Sequence, residues 1–217
     1  MNMALIRLIA GFRRFREKYF VQADLEHSVY HRLASSGQTP KTLLIGCSDS
    51  RVDPAILTGA EPGDLFVVRN VANLVPPCES STVGFHGTSS ALEFAVQSLK
   101  VENIIILGHR QCGGIHALMN GAMDNPESFT GQWMSIVKEA RVTVLKNSSH
   151  LSNETQCRMA EMESIKVSLR NLHTFPFVQA AIKERGMNVI GVYFDLEEGE
   201  LWEFDTPSQE FRQIEIK

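Results

Sequence analysis

No stretch of the sequence is long and apolar enough to cross a bilayer. The runs at Asn103–Leu107 and Met1–Ile9 fall well short of the roughly 20 residues that a span needs. Basic charge is not in excess either: 21 Lys and Arg stand against 25 Asp and Glu, for a net charge of −4 and a pI of about 6.0. A global basic field that would hold a nucleic-acid backbone is therefore excluded. Cysteine is scarce. Cys47, Cys78, Cys112 and Cys157 are too few for a disulfide scaffold in 217 residues. Internal repeats and low-complexity segments are missing, and no G-x-G-x-x-G follows the first apolar run, so a dinucleotide fold is a poor fit. The first residues lack a small-residue cleavage site and carry Arg7 within their apolar part, which argues against a secretion signal. The expected compartment is cytoplasmic and reducing.

What is present is ordinary globular material, 43% hydrophobic and 21% charged, enough for one domain over 1–217 with a sizeable core. Four short apolar runs read as strands: Thr42–Gly46, Leu65–Arg69, Asn103–Gly108 and Asn188–Phe194. Runs apolar on both faces fit a buried parallel sheet. Helical spacing appears between them at Ser89–Leu99, Gly131–Lys146, Cys157–Leu172 and Phe177–Arg185. Val75–Gly87, rich in Pro, Gly and Ser, reads as a loop. A turn at Glu198–Gly199 adds one antiparallel edge strand at Leu201–Phe204. The fold class expected is α/β: a central, mostly parallel four-stranded sheet with an added antiparallel edge strand and helices on both faces. An N-terminal arm (1–35), with Leu5, Leu8, Ile9, Phe12, Phe15 and Phe20 near helical spacing, is expected to pack on the domain or on a second subunit.

Two motifs lie just past strand ends, where open α/β sheets bind ligands. One is Gly46-Cys47-Ser48-Asp49-Ser50-Arg51 and the other Gly108-His109-Arg110-Gln111-Cys112-Gly113-Gly114. Two thiolates and an imidazole from Cys47, Cys112 and His109 suit Zn²⁺, and three protein ligands leave the fourth tetrahedral position open, as in catalytic sites. Zinc with two thiolates is formally neutral. It should acidify a bound water less than a tris-histidine site does, so help is needed near neutral pH. Asp49 can accept a hydrogen bond from zinc-bound hydroxide and orient it, and Arg51 can hold Asp49 ionised. Alone, each of these residues reads more simply, as a core cysteine, a turn ion pair or a loop histidine; together at one sheet edge they read as a site. Cys78 and Cys157 are expected to be bystanders, and His86, His116 and His173 ordinary surface or core histidines. A cysteine-phosphatase loop needs five residues between Cys and Arg, and only three separate Cys47 from Arg51. A zinc-stabilised structural or redox-sensing domain would want a fourth Cys or His near one of the motifs, and none is at hand.

These residues resemble the β-class carbonic anhydrases, of a bacterial, plant-like subtype. The matching stretches are C-S-D-S-R at Cys47–Arg51, P-G-D-L-F-V-V-R-N-V-A-N at Pro62–Asn73, S-S-A-L-E-F-A-V at Ser89–Val96 and G-H-R-Q-C-G-G at Gly108–Gly114. The resemblance implies one Zn²⁺ per subunit on Cys47, His109 and Cys112, with Asp49 and Arg51 as a catalytic dyad. It implies reversible hydration of CO₂ to bicarbonate and a proton, with zinc-bound hydroxide attacking CO₂. It implies a substrate pocket of Gln38, Phe66, Val71, Phe94 and Gly113, and a homodimer or dimer of dimers in which a neighbour completes each pocket. CS₂ or COS hydrolysis on the same scaffold is the alternative enzymatic reading. Phe94 stands where plant-like members often have Tyr, so a role for that hydroxyl is absent. Some members hold bicarbonate at a second site built around a Trp before the zinc Cys. Here that position is Leu44, and although Arg69 matches the site's arginine, no such site is expected; Asp49 should pair with Arg51. Arg110 is an unusual choice, expected to bring positive charge to the pocket rim.

Overall fold

The computed structural model describes residues 2–21, 28–79, 84–125 and 127–215. Residues 80–83 of the loop expected at 75–87, and residues 1 and 22–27 of the expected arm, lie outside the described residues. In chain order the elements are α1 (Met3–Arg16), α2 (Val29–Ser36), β1 (Thr42–Cys47), α3 (Pro54–Thr58), β2 (Leu65–Asn70), α4 (Gly87–Glu93), β3 (Asn103–His109) and α5 (Gly113–Met119). There follow α6 (Phe129–Met134), α7 (Lys138–Ser148), α8 (Asn153–Leu172), α9 (Pro176–Arg185), β4 (Asn188–Asp195), β5 (Glu200–Asp205) and β6 (Glu210–Gln213).

The sheet order is β2-β1-β3-β4-β5-β6. The first four strands pair parallel, and they are the four apolar runs of the sequence. The last two pairings are antiparallel. One added strand was expected and two are present. β6 is four residues long, and only Phe211 of it is partly buried, against Phe204 at 5.4 Å between ring centroids. So short and polar a segment has no clear apolar alternation to read. The helix expected over Gly131–Lys146 is broken into α6, a 3₁₀ turn at Ser135–Val137, and α7. The one expected from Ser89 starts at Gly87 and ends in a π turn at Phe94–Ser98. α8 starts earlier than its apolar spacing suggests, because Ser152 caps it: its Oγ accepts the Thr155 N–H at 3.2 Å.

Packing on the sheet fixes where the site forms. β1 leads to β2 on one side and lies beside β3 on the other, so the strand order reverses between β1 and β3. The crevice at such a switch point, beyond the carboxyl ends of the strands, is where α/β sheets hold ligands. Cys47 ends β1 and His109 ends β3, so both arrive at that crevice. α8 crosses β3 and β4 unusually closely. A Cβ on Gly108 would meet Ile165 Cδ1 at 2.6 Å, and one on Gly191 would meet Ile165 Cγ2 and Leu169 Cδ1 at 2.8 Å. Both glycines are therefore required by the approach of this helix, which brings Glu161 under the site. Apart from the sheet, α1 has no buried residue and leaves Met3, Leu5, Leu8 and Phe12 exposed. Among the described residues no helix is long and apolar enough to cross a membrane.

Candidate metal centre

Cys47, His109 and Cys112 are all buried, and their donor atoms lie within 4.8 Å of one another. The two sulfurs are 3.9 Å apart. Two sulfurs on one tetrahedral zinc, each about 2.3 Å from it, would be about 3.8 Å apart. His109 Nδ1 lies 2.8 Å from the Arg110 carbonyl oxygen. A carbonyl only accepts, so Nδ1 carries the proton and the Nε2 lone pair is left free. Nε2 is buried without a hydrogen-bond partner, a costly arrangement that a metal ion resolves. The donor set, the sulfur spacing and the orphaned nitrogen all fit Zn²⁺. Cys78 is exposed and Cys157 is buried elsewhere, and neither joins the group.

Without metal the thiol pair shares its protons unequally. A hydrogen bond from Cys112, aided by the neighbouring His109 ring and the backbone N–H groups of Asp49 and Ala72, overcomes burial and brings Cys47 down to about 4. The resulting Cys47 thiolate, together with burial, pushes Cys112 far up. One negative charge is tolerated in the pair and a second needs a cation.

Asp49 and Arg51 form a forked pair. Arg51 Nε donates to Asp49 Oδ1 at 3.0 Å, Nη2 to Oδ2 at 2.7 Å, and the Arg51 backbone N–H to Oδ1 at 2.9 Å. Those hydrogen bonds hold the Asp49 carboxyl well below the usual carboxylate range. The Asp49 backbone N–H reaches Cys47 Sγ at 3.4 Å, which places the dyad beside the metal donors. Arg69 fastens the same loop from below. Its Nε donates to the Cys47 carbonyl at 2.9 Å, Nη2 to the Asp49 carbonyl at 2.6 Å, and Nη1 to Asp53 at 2.9 Å.

The residues of the expected substrate pocket fall into two sets. Val71 and Gly113 lie at the metal end. Val71 follows β2 and is 41% exposed, and a Cβ on Gly114 would strike it at 2.8 Å, so the start of α5 packs against it. Gly113 is the first residue of α5. Gln38, Phe66 and Phe94 lie at the other end. Phe66 pairs with Leu43 while Asn70 pairs with Cys47, so Phe66 sits roughly 13 Å back along β2. Phe94 packs against Phe66 with tilted rings, 5.9 Å between centroids, and is 46% exposed, and Gln38 is exposed just before β1 begins. Within one chain this second set is not brought to the metal donors.

Arg110 does not bring free charge to a rim. Its guanidinium meets Asp195 at 3.3 Å, Glu197 at 2.7 Å and Glu154 at 3.4 Å. A cavity of about 540 Å³ borders it, lined by Arg110, Gln111, Cys112, Gly113, Cys157 and Glu161 among others. Cys47, Asp49 and Arg51 do not line it, so this cavity flanks the turn that carries Cys112 and is not where the dyad acts.

Two residues of the site escape sequence reasoning. Glu161 on α8 is almost fully buried. Its Oε1 accepts the Cys112 N–H at 3.0 Å and its Oε2 accepts the Tyr193 hydroxyl at 2.8 Å. Burial pushes this carboxyl up to about 7, against the two hydrogen bonds. In the sequence it is one more charge on a helix; only the close crossing of α8 gives it a role. Replacing it with Ala strands a buried N–H and a buried hydroxyl. Glu161→Ala is expected to cost about 2–4 kcal/mol in urea unfolding, and Glu161→Gln, which keeps an acceptor for Cys112, clearly less. The other residue is Gln111, whose φ of +57° is left-handed without the freedom of glycine. For an L-residue that costs about 1–2 kcal/mol, and no motif marks it.

A model of the family described as carbonic anhydrase matches residues 42–201. The chain belongs to the carbonic anhydrase family. The curated relative "Beta carbonic anhydrase 6, mitochondrial" of Arabidopsis thaliana is 44% identical over 183 residues, 83% of this chain and 60% of the relative. The chain thus spans less than two thirds of that relative's length. The solved structure of the β-carbonic anhydrase CcaA superposes with a TM-score of 0.87 at 34% identity, covering 100% of this chain and 94% of that one. Tetrameric β-carbonic anhydrases from the filamentous ascomycete Sordaria macrospora superpose with a TM-score of 0.72 at 29% identity, over 93% of each chain. The chain is of the β class, and its α/β fold is that of the β-carbonic anhydrases.

Proposed function

We propose that the protein catalyses the reversible hydration of CO₂ to bicarbonate and a proton, with one Zn²⁺ held by Cys47, His109 and Cys112. The observation that carries this is the buried three-donor group with its orphaned imidazole nitrogen, set directly beside an ionised carboxylate. Zinc bound there would supply Lewis acidity, making water nucleophilic near neutral pH. The remaining work falls to the chain. Asp49, kept ionised by Arg51, can only accept a hydrogen bond, so it admits a protonated oxygen in one orientation and aims its lone pair at the carbon to be attacked. Val71 offers an apolar wall suited to CO₂, which has no net dipole for a charged group to grip.

The second set of pocket residues supports a homo-oligomer. Gln38, Phe66 and Phe94 are exposed or half-exposed at the opposite end of the sheet, so only a second copy can deliver them to this pocket. The exposed apolar positions of α1 offer a surface for that copy, and the structural relatives from Sordaria macrospora are described as tetrameric. A dimer is the smallest unit this division allows.

Stopped-flow CO₂ hydration, with zinc content and oligomeric state measured on the same sample, tests the proposal. Hydration that scales with zinc occupancy is expected. A fully zinc-loaded oligomer with no rate above buffer would overturn it.

A further inference from the structure

Arg51 needs more than Asp49 to stay in place. The two residues are two apart in one turn, and the Arg51 side chain is 47% exposed. A half-exposed arginine paired only with its near neighbour can swing outward and take the carboxylate with it. In this structure its far side is held by Gln111. Arg51 Nη2 donates to the Gln111 carbonyl at 2.9 Å, and Nη1 approaches the Gln111 side-chain oxygen at 3.4 Å. The carbonyl is presented in that direction by the left-handed backbone of residue 111. An observed strained residue beside an active centre calls for a compensating contact, and here it is visible. Gln111 Nε2 donates to Glu197 Oε1 in the turn between β4 and β5. The other oxygen of Glu197 takes Arg110 at 2.7 Å. That turn is itself anchored by buried Asp195, which accepts the Glu197 N–H at 3.1 Å and the Arg158 guanidinium at 3.0 Å. A continuous chain of contacts therefore runs from the sheet's antiparallel edge through Glu197 and Gln111 to Arg51 and Asp49.

We infer that Gln111, clamped by Glu197, is a positioning residue that fixes the Asp49–Arg51 dyad beside the metal donors. The inference rests on the proposed hydration reaction and deepens it. It also gives Arg110 a place, as the counter-charge that holds Glu197 against Gln111.

Four variants separate this role from a structural one: Gln111→Ala, Gln111→Gly, Glu197→Ala and Glu197→Gln. Gln111→Gly relieves the left-handed backbone and removes only the side chain. Each would be measured for zinc content, for kcat/KM of CO₂ hydration, and for the NMR order parameter of the Arg51 Nε–H in zinc-free and zinc-loaded protein. With zinc content unchanged, both Gln111 variants are expected to lose about tenfold in kcat/KM. The Arg51 order parameter should fall from the rigid range, about 0.85, to below about 0.6, with or without metal. Glu197→Ala should move both readouts the same way, and Glu197→Gln, which keeps an acceptor for Gln111, should recover most of the loss. A Gln111→Gly protein with a rigid Arg51 and a rate within twofold of wild type would overturn the inference. Asp49→Ala in parallel keeps the two readings apart. If it loses activity while the Gln111 variants do not, the positioning role fails alone; if it keeps activity, the hydration mechanism fails and this role with it.

Discussion

Cys112→Ser is expected to strip the protein of zinc and abolish CO₂ hydration, while the fold survives. Serine is close in size, and position 112 is 1% exposed between α5 and the core, so packing changes little. The chemistry changes a great deal. A hydroxyl stays protonated where a thiol beside a metal ionises, and the site loses one of the two negative charges that neutralise Zn²⁺. Purified Cys112→Ser should hold less than about a tenth of the wild-type zinc, since a soft thiolate is replaced by a hard, weakly acidic donor. Metal analysis and circular dichroism on one sample would show this, and full zinc occupancy in the variant would reject the ligand assignment.

The same pair predicts how zinc binding depends on pH in the unsubstituted protein. Cys47 is already a thiolate through the neutral range, since the Cys112 hydrogen bond brings it down to about 4, whereas Cys112 keeps its proton. Metal entry must expel that proton. Bound zinc therefore favours the deprotonated side, and lowering the pH favours the metal-free pair. The zinc dissociation constant should rise by at least about tenfold for each unit the pH is lowered, one proton coming from Cys112, and more steeply where His109, held up against its burial by the Cys47 thiolate, also takes a proton. Competition with a chelator at several pH values would measure that slope.

Much of this was legible in the residues themselves, for a physical reason. The four parallel strands are apolar on both faces because helices cover both faces, so they stand out as runs. The ligands follow because strand ends bring Cys47 and His109 to one crevice whatever the details of the loops. Features that depend on how elements cross were not legible. Glu161 looks like any helical glutamate until Gly108 and Gly191 let α8 down onto β3 and β4. Gln111 reads as a spacer in G-H-R-Q-C-G-G, because neither its left-handed backbone nor its reach to Glu197 leaves a trace in spacing. β6 is too short and polar to show a period, and the break between α6 and α7 leaves the apolar pattern running on. The division of the pocket into two sets is invisible for another reason. The resemblance carries Gln38, Phe66 and Phe94 as members of one site, and only the register of β1 and β2 shows how far they lie from the metal end within one chain.

Asp49→Asn is the sharper test of the reaction itself, because it keeps the shape while turning a charged, acceptor-only group into a neutral one that also donates. Asparagine can keep the two bonds at one oxygen, from Arg51 Nε and the Arg51 backbone N–H, but its amide nitrogen then replaces the oxygen that accepts Nη2 and presents two protons to the guanidinium and to the nucleophile. A group that donates meets the nucleophile's lone pair instead of its hydrogen and turns it away from CO₂. Asp49→Asn is therefore expected to lower kcat/KM by about a hundredfold or more, the scale of losing a preorganised electrostatic contact at a reacting centre. Zinc content should be unchanged, since Asp49 is not among the three donors. Asp49→Ala should cost a similar factor, although it leaves space for water to approach the metal. If orientation is the role, the isosteric amide does at least as much harm as the truncation. If Asp49 only supplies negative charge near the metal, the two variants again lose activity together, but added acetate or formate should restore Asp49→Ala strongly, a free anion being able to supply charge without the geometry set by Arg51. Little rescue by such anions is expected here. The pH profile gives a second reading. Arg51 holds the Asp49 carboxyl well below its usual range, so it stays ionised as the pH falls toward 5. Asp49 itself then contributes no acid limb in that range; such a limb comes from other groups, the metal centre or the buried Glu161 behind Cys112. It should persist unshifted in the residual activity of Asp49→Asn.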